Sequence, residues 1–266
     1  MFLRILILLL LPLRAPAQLF NAAPFLGMGN TGLAQGSLYS ISNNPAGIAL
    51  LENIQAGVAY QSHFLSSEIQ SQALYLAVPF SSSNAVAFGA NSYGLKGVSN
   101  LLTLRGVYSK RFGRLFSSAI SINSHRYYVK NYEDDQALSL DLGFQYYVND
   151  YVTIGALARN VTSARYQDHI LQYIPVEFGL GFCYIMSKEL RIACDAYYDK
   201  YIPLSYRGGI AFNVDSRVSV RGGVGSHPIQ YFGGVGLVVA KLHIDIASSF
   251  HSRLGTSPQL AIAYAF

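Results

Sequence analysis

From about residue 53 to its last residue, this sequence repeats one unit: a run of roughly ten residues in which large apolar side chains alternate with small or polar ones, then turn-forming residues. Over 137–148, Leu138, Leu140, Leu142, Phe144, Tyr146 and Val148 share one parity, and Ser139, Asp141, Gly143, Gln145 and Tyr147 the other. Val176, Phe178, Leu180, Phe182 and Tyr184 oppose Glu177, Gly179, Gly181 and Cys183 in the same way. At the C-terminus Leu260, Ile262, Tyr264 and Phe266 oppose Gln259, Ala261, Ala263 and Ala265. A period of two places the two sets on opposite faces of a strand. About fourteen such segments are read, over 53–63, 68–80, 84–95, 101–112, 115–129, 136–148, 151–161, 174–187, 190–199, 204–214, 217–225, 230–240, 242–251 and 257–266.

A tilted strand of about ten residues is long enough to cross a bilayer, and bacterial barrels use an even number of them. After residue 17 no stretch reaches the ~18 consecutive apolar residues of a transmembrane helix. The chain is nevertheless 51% hydrophobic and only 12% charged, about half the charge of an ordinary soluble domain. In lipid every backbone N–H and C=O must be paired within the protein, so strands cross only as a closed barrel. The expected fold is all-β, a 14-stranded antiparallel transmembrane β-barrel over 53–266. A soluble sandwich also alternates, but it does not turn large apolar residues outward on nearly every strand.

Every second connection is tight, at 81–83, 113–114, 149–150, 187–189, 215–216 and 240–241, and these are expected on the periplasmic side. Longer outer loops are expected at 131–135, 162–173 and 252–257, the second with Tyr166 to His169 at a solvated tip.

Residues 1–17 combine Arg4, an apolar run from Ile5 to Leu11 and the small-x-small sequence Ala15-Pro16-Ala17, the pattern of a secretory signal peptide. Export would place the barrel in a bacterial outer membrane, among its lipids. Without Arg4 and Arg14 the 19 basic residues become 17 against 14 acidic, a net charge of +3. That is too mild and too scattered for nucleic acid.

Residues 18–52 do not alternate and are rich in Gly, Ala, Asn and Ser. Gly27, Gly29 and Gly32 match G-x-G-x-x-G, with Glu52 downstream, but no strand precedes them to build a dinucleotide site. No cofactor is therefore expected. The run Gly27-Met28-Gly29-Asn30-Thr31-Gly32-Leu33-Ala34, followed by Asn43-Asn44-Pro45-Ala46-Gly47, resembles the start of FadL-like outer-membrane barrels, nearest their PorV/PorQ-type branch. The terminal Phe266 is similar to the aromatic end such barrels present to their assembly machinery. The resemblance implies that 18–52 is a plug or hatch, with Gly27, Gly29, Asn30, Gly32, Asn44, Pro45, Ala46 and Gly47 as its motif. It implies two roles. One is an accessory or substrate-holding part of protein export of the type IX secretion kind, or of an outer-membrane assembly, with protein partners. The other is passive transport of small hydrophobic compounds, which FadL proteins pass through a lateral opening at a kinked third strand. Gly89, Gly94 and Gly97 stand where that kink would be.

The lumen face is expected to carry Arg105, Asp141, Glu177, Arg191, Asp195, Arg207, Arg221, His243 and Asp245, read as a salt-bridge and hydrogen-bond network filling the barrel. None of His63, His125, His169, His227, His243 and His251 pairs with another at metal-ligand spacing. Ser124-His125 and His251-Ser252 point to opposite faces, so neither forms a nucleophile and base, and the chain is read as no enzyme. The same parity puts Cys183 inward and Cys194 outward, as two free thiols. A pocket beneath the outer loops would favour transport; a fully plugged lumen would favour a purely structural subunit.

Overall fold

The computed structural model describes residues 20–167, 172–199 and 202–266, so the signal peptide expected over 1–17 lies outside the described residues. Fourteen strands form the wall: β1 (Gln55–Ser62), β2 (Ile69–Ser81), β3 (Asn84–Leu95), β4 (Ser99–Phe112), β5 (Phe116–Val129), β6 (Glu133–Tyr147), β7 (Val152–Arg159), β8 (Glu177–Ile185), β9 (Leu190–Asp199), β10 (Ile202–Asn213), β11 (Val218–Gly225), β12 (Gln230–Val239), β13 (Leu242–His251) and β14 (Gly255–Ala265). Each pairs antiparallel with its sequence neighbours, and β1 closes the barrel on β14 from Gln55↔Ala265 to Gln61↔Gln259. The Phe266 N–H donates to the Ile54 carbonyl at 2.9 Å just beyond the seam. Each segment read from the alternation is a strand, with both ends within three residues of expectation. Closure leaves no edge, which is what lets a sheet stand in hydrocarbon. Outward positions such as Leu138, Leu180 and Ile122 are exposed for lipid, and inward alanines such as Ala59, Ala77 and Ala261 are buried.

Two of the outer loops expected to be long are tight. β5 and β6 are joined by 130–132 alone, and β13 and β14 by 252–254. The polar run at 133–136 is strand: Tyr128↔Asp134 and Arg126↔Gln136 are in register, and Arg126 pairs with Asp134 at 2.5 Å on the outward face. Polarity there belongs to the end of a strand pair rather than to a loop. The long connection is 160–176, and of the residues expected at a solvated tip Gln167 is exposed whereas Tyr166 is buried. Tyr166 packs with Ile174 against Leu101, Tyr127 and Ala137, all on inward faces, so these two residues reach into the mouth of the barrel. His169, expected beside it, lies outside the described residues.

β3 pairs with β2 and β4 through Gly89 without a register shift, from Ala85 to Tyr93. Gly94 still pairs with Gln70, and Gly97 lies in the following turn at φ 74°. The register thus carries no bulge at these glycines, and Gly89 serves a close approach: a Cβ there would come within 2.6 Å of Ile41.

That neighbour belongs to the segment before β1. Residues 20–51 hold a short helix α1 (Ala23–Gly27) and 3-10 turns at Leu38–Ile41 and Pro45–Leu50, all inside the barrel. α1 packs on β11 to β14, Leu38–Ile41 on β1 to β3, and Pro45–Leu50 on β3 to β6. The turns start where the sequence caps them. Ser37 forms a capping box with Ser40, and the Asn44 side chain accepts from the Ala46 N–H ahead of Pro45. Phe25, Leu38, Ile41 and Ile48 are at most 3% exposed, and they pack against wall alanines in one apolar cluster.

Candidate functional site

The lower lumen is shaped by what its wall lacks. Leu33 sits on Gly155, Gly179 and Gly181, Met28 on Gly209 and Gly223, Leu38 on Gly57, and Asn44 with Pro45 on Gly143. A Cβ on Gly155 would stand 2.0 Å from the Leu33 carbonyl, and one on Gly209 2.0 Å from that of Met28. Backbone meets backbone at these points, which only glycine permits. Within the segment, Gly29 takes φ 73° against Gly208, and a Cβ on Gly47 would fall 2.5 Å from the Gln35 carbonyl. Gly27 packs on Gly234, and Gly32 on Asn43.

Polar ties hold the same segment. One Asp195 oxygen accepts from the backbone N–H of Gly32 at 2.8 Å and of Leu33 at 3.1 Å. Gln145 donates to the carbonyls of Leu33 and Gln35, both at 3.0 Å. Asn44 donates to Leu33 at 2.6 Å and to the wall carbonyls of Phe144 and Ala156. The Ala46 carbonyl accepts from Ser109 and Ser117. Arg159 is ion-paired with Glu177, lies 4.0 Å from Asp141, and donates to the carbonyls of Ser42 and Asn43. Buried backbone groups in a non-helical segment need such partners, and the wall supplies them.

The expected lumen residues divide by height. Arg105 donates to Asn91, Arg221 pairs with Asp245 at 2.5 Å, and Asp141 accepts from the Asn160 N–H at 2.8 Å. Arg191 and His243 keep the inward parity but stand second from the starts of β9 and β13, exposed, away from these contacts. Arg159, Asn91, Gln145 and Asn123 take part and were not anticipated. Arg159 was legible as the residue directly across from Glu177 in an antiparallel pair. Cys183 is buried and Cys194 exposed, and both are free: Cys183 faces Ala193 across the hairpin and Phe182 faces Cys194.

Beyond this packed layer the lumen opens into a cavity of about 630 Å³ toward the barrel end that carries the β1–β2 and 160–176 connections. Phe20, Asn21, Leu26 and Asn30 of the N-terminal segment form its floor. Its wall includes Tyr93, Tyr197, Phe232 and Arg207, and its rim Phe64, Tyr173, Pro203, His227 and Leu254. The His63 Nε2 meets the Ser71 Oγ at 2.8 Å, and its ring stands edge-on to Tyr93 at 5.3 Å. The volume falls within the ~300–1,000 Å³ of small-molecule sites, and the surface turned to the cavity is mostly apolar, although polar side chains such as Asn21, Gln61, Ser205, Arg207 and Gln230 contribute many of its lining residues. Of the lining residues Asn30, Glu177 and Arg207 stand out in the sequence; the aromatic ones, Phe20, Tyr93, Tyr197 and Phe232, do not, because they sit at scattered places in the chain. The available signal was a change along each inward face from Gly or Ala to aromatic and polar residues: Gly236 and Gly234 to Phe232 and Gln230 on β12, Ala211 and Gly209 to Arg207 and Ser205 on β10.

No protein-family model matches the sequence, and no curated protein matches it. Solved structures do share the fold. The CymD monoaromatic hydrocarbon channel superposes with a TM-score of 0.71 at 12% identity, over 95% of this chain and 99% of that one. A Pseudomonas aeruginosa FadL homologue gives 0.68 at 13% identity, over 92% and 98%. The Pseudomonas putida toluene transporter TodX gives 0.65 at 12% identity, over 93% and 98%. The neighbours are FadL-type outer-membrane barrels, and at this identity the likeness is one of fold.

Proposed function

We propose that this chain is a non-enzymatic passive transporter of small hydrophobic compounds, standing in the lipids of a bacterial outer membrane. The observation that carries this reading is the aromatic-lined cavity, open toward the β1–β2 and 160–176 connections and floored by the lumen segment. A purely structural subunit would have a filled lumen, and this one is filled only in its lower part. An accessory of protein export would recognise partners through outer loops, and all of these but 160–176 are short. The CymD and TodX likeness supports the same choice, since those barrels are described as a monoaromatic hydrocarbon channel and a toluene transporter. The lumen segment then serves as the hatch that separates the cavity from the periplasm, with Gly27, Gly29, Asn30, Gly32, Asn44, Pro45, Ala46 and Gly47 setting its fit.

The test is uptake of radiolabelled toluene by cells that carry this chain in place of their own hydrophobic channels. Faster, saturable uptake is expected, reduced when Phe232→Asp puts a charge on the cavity wall. Uptake equal to that of cells with an empty vector would overturn the reading. Stoichiometric co-purification of secretion components in mild detergent would replace it with the export role.

A further inference from the structure

The lumen arginines are not treated alike. Arg159 is committed to Glu177 and Asp141, and Arg221 to Asp245. Arg207 lines the cavity, half-buried, and among the described residues no carboxylate lies within 4.0 Å of its guanidinium. Its register partner on β9 is Asp195, but that carboxylate turns one oxygen to the Gly32 and Leu33 amides and to the Tyr197 hydroxyl. Of the acids on the cavity wall, Glu177 is taken by Arg159, and Asp199 is engaged as well. The Arg207 guanidinium lies over the Tyr197 ring at 4.0 Å and donates one hydrogen bond, to the Asn30 carbonyl at 3.3 Å.

A guanidinium has five N–H donors in a planar fork that matches a carboxylate. Here one face is covered by Tyr197, one donor is spent on the floor, and among the described residues no carboxylate comes within 4.0 Å of the remaining donors, Asp195 across the strand pair acting on them only through its field. Besides Tyr197, the aromatic side chains of Phe232, Phe20 and Tyr93 line the same space, together with polar residues such as Asn30, Ser205 and Gln230. We propose that the cavity selects small aromatic molecules bearing a carboxylate, with Arg207 as the residue that determines this specificity. The inference rests on the transport reading and narrows its substrate class. The ring of the ligand packs among the aromatic side chains, and its carboxylate takes the free edge of the fork. Flat rings suit the compact, aromatic-lined space better than a flexible alkyl chain, which loses more rotamer freedom on binding. Because Arg207 also holds the Asn30 carbonyl, one guanidinium joins the bound carboxylate to the floor.

Calorimetric titration of the detergent-solubilised full chain with benzoate, benzyl alcohol and octanoate tests this. A charge-assisted pair in a partly desolvated site is expected to favour benzoate over the neutral, similarly shaped benzyl alcohol by about tenfold or more. Arg207→Gln should collapse that ratio toward one, and Arg207→Lys should restore part of it. Benzyl alcohol binding as tightly as benzoate in the unmodified protein would overturn the proposal and leave hydrophobic transport standing. Octanoate matching benzoate would overturn the aromatic specificity. Absence of binding by all three would overturn both readings. The first comparison needs no variant, so it decides even if Arg207→Gln fails to fold.

Discussion

The lower and outer halves of the lumen are built by the same strands with the same inward parity, yet one is packed and the other hollow. On β9 the inward series runs Ala193, Asp195, Tyr197, Asp199: a small contact, a pin for the Gly32 and Leu33 amides, then two cavity-lining side chains. On β1 it runs Gly57, Ala59, Gln61, and on β3 Ala87, Gly89, Asn91, Tyr93. Below, missing side chains let a second layer of backbone fit inside the sheet. Above, large side chains project into space that no backbone occupies. The difference teaches that a barrel lumen is partitioned by residue size at each height, while the wall itself stays uniform.

The comparison breaks most severely if a side chain is forced into the lower layer. Gly155→Leu drives a Cβ to 2.0 Å from the Leu33 carbonyl, and its flanking groups are backbone that cannot yield cheaply. The expected cost is about 3 kcal/mol or more, by overpacking. Chemical unfolding should show it, and planar-bilayer recordings should show raised conductance as the segment is displaced. Gly106→Leu on the lipid face, where a Cβ meets nothing within 4 Å, should stay within about 0.5 kcal/mol. Equal effects from the two variants would mean that the lumen segment does not rest on the wall.

A smaller effect is expected from removing a tie. Asp195→Ala orphans the Gly32 and Leu33 N–H groups, each worth about 1–3 kcal/mol when buried without a partner. Hydrogen exchange should accelerate across 27–35 while the strands keep their protection. Unchanged exchange there would assign the hold on the segment to packing alone.

The smallest effect belongs to the rim of the cavity. Burial pushes His63, in the β1–β2 connection, down to about 4 from its ordinary 6.5. The folded state therefore resists a proton that the unfolded chain accepts, so this residue's contribution is full above pH ~6.5 and falls as the pH drops toward 4. Titrating stability over that window should show a slope that His63→Gln flattens. A slope that persists in the variant would move the effect to another group.

Much of the wall was legible because a period of two leaves a mark on every residue. Leu138 to Val148 could face lipid only on one parity, and the same rule separated Cys183 from Cys194. Outer loop length was not legible: Asp134 and Gln136 belong to the end of a strand pair, and polarity alone reads as loop. The glycine of β3 was open to two physical meanings, bend or close approach, and the close approach shows only in the position of Ile41. The cavity residues carry no local pattern, since Phe20, Tyr93, Arg207 and Phe232 come from distant parts of the chain.

The sequence by itself determined the number of strands, their faces and the presence of a separate non-strand segment before them, because alternation is a local property that each strand records independently. Where that segment sits, and hence where the lumen is closed and where it is hollow, was decided only by the tertiary structure. Its position depends on contacts such as Gly32 with Asp195, 163 residues apart, and on the register in which all fourteen strands close. No single stretch of sequence holds that register, because it exists only once the last strand has met the first.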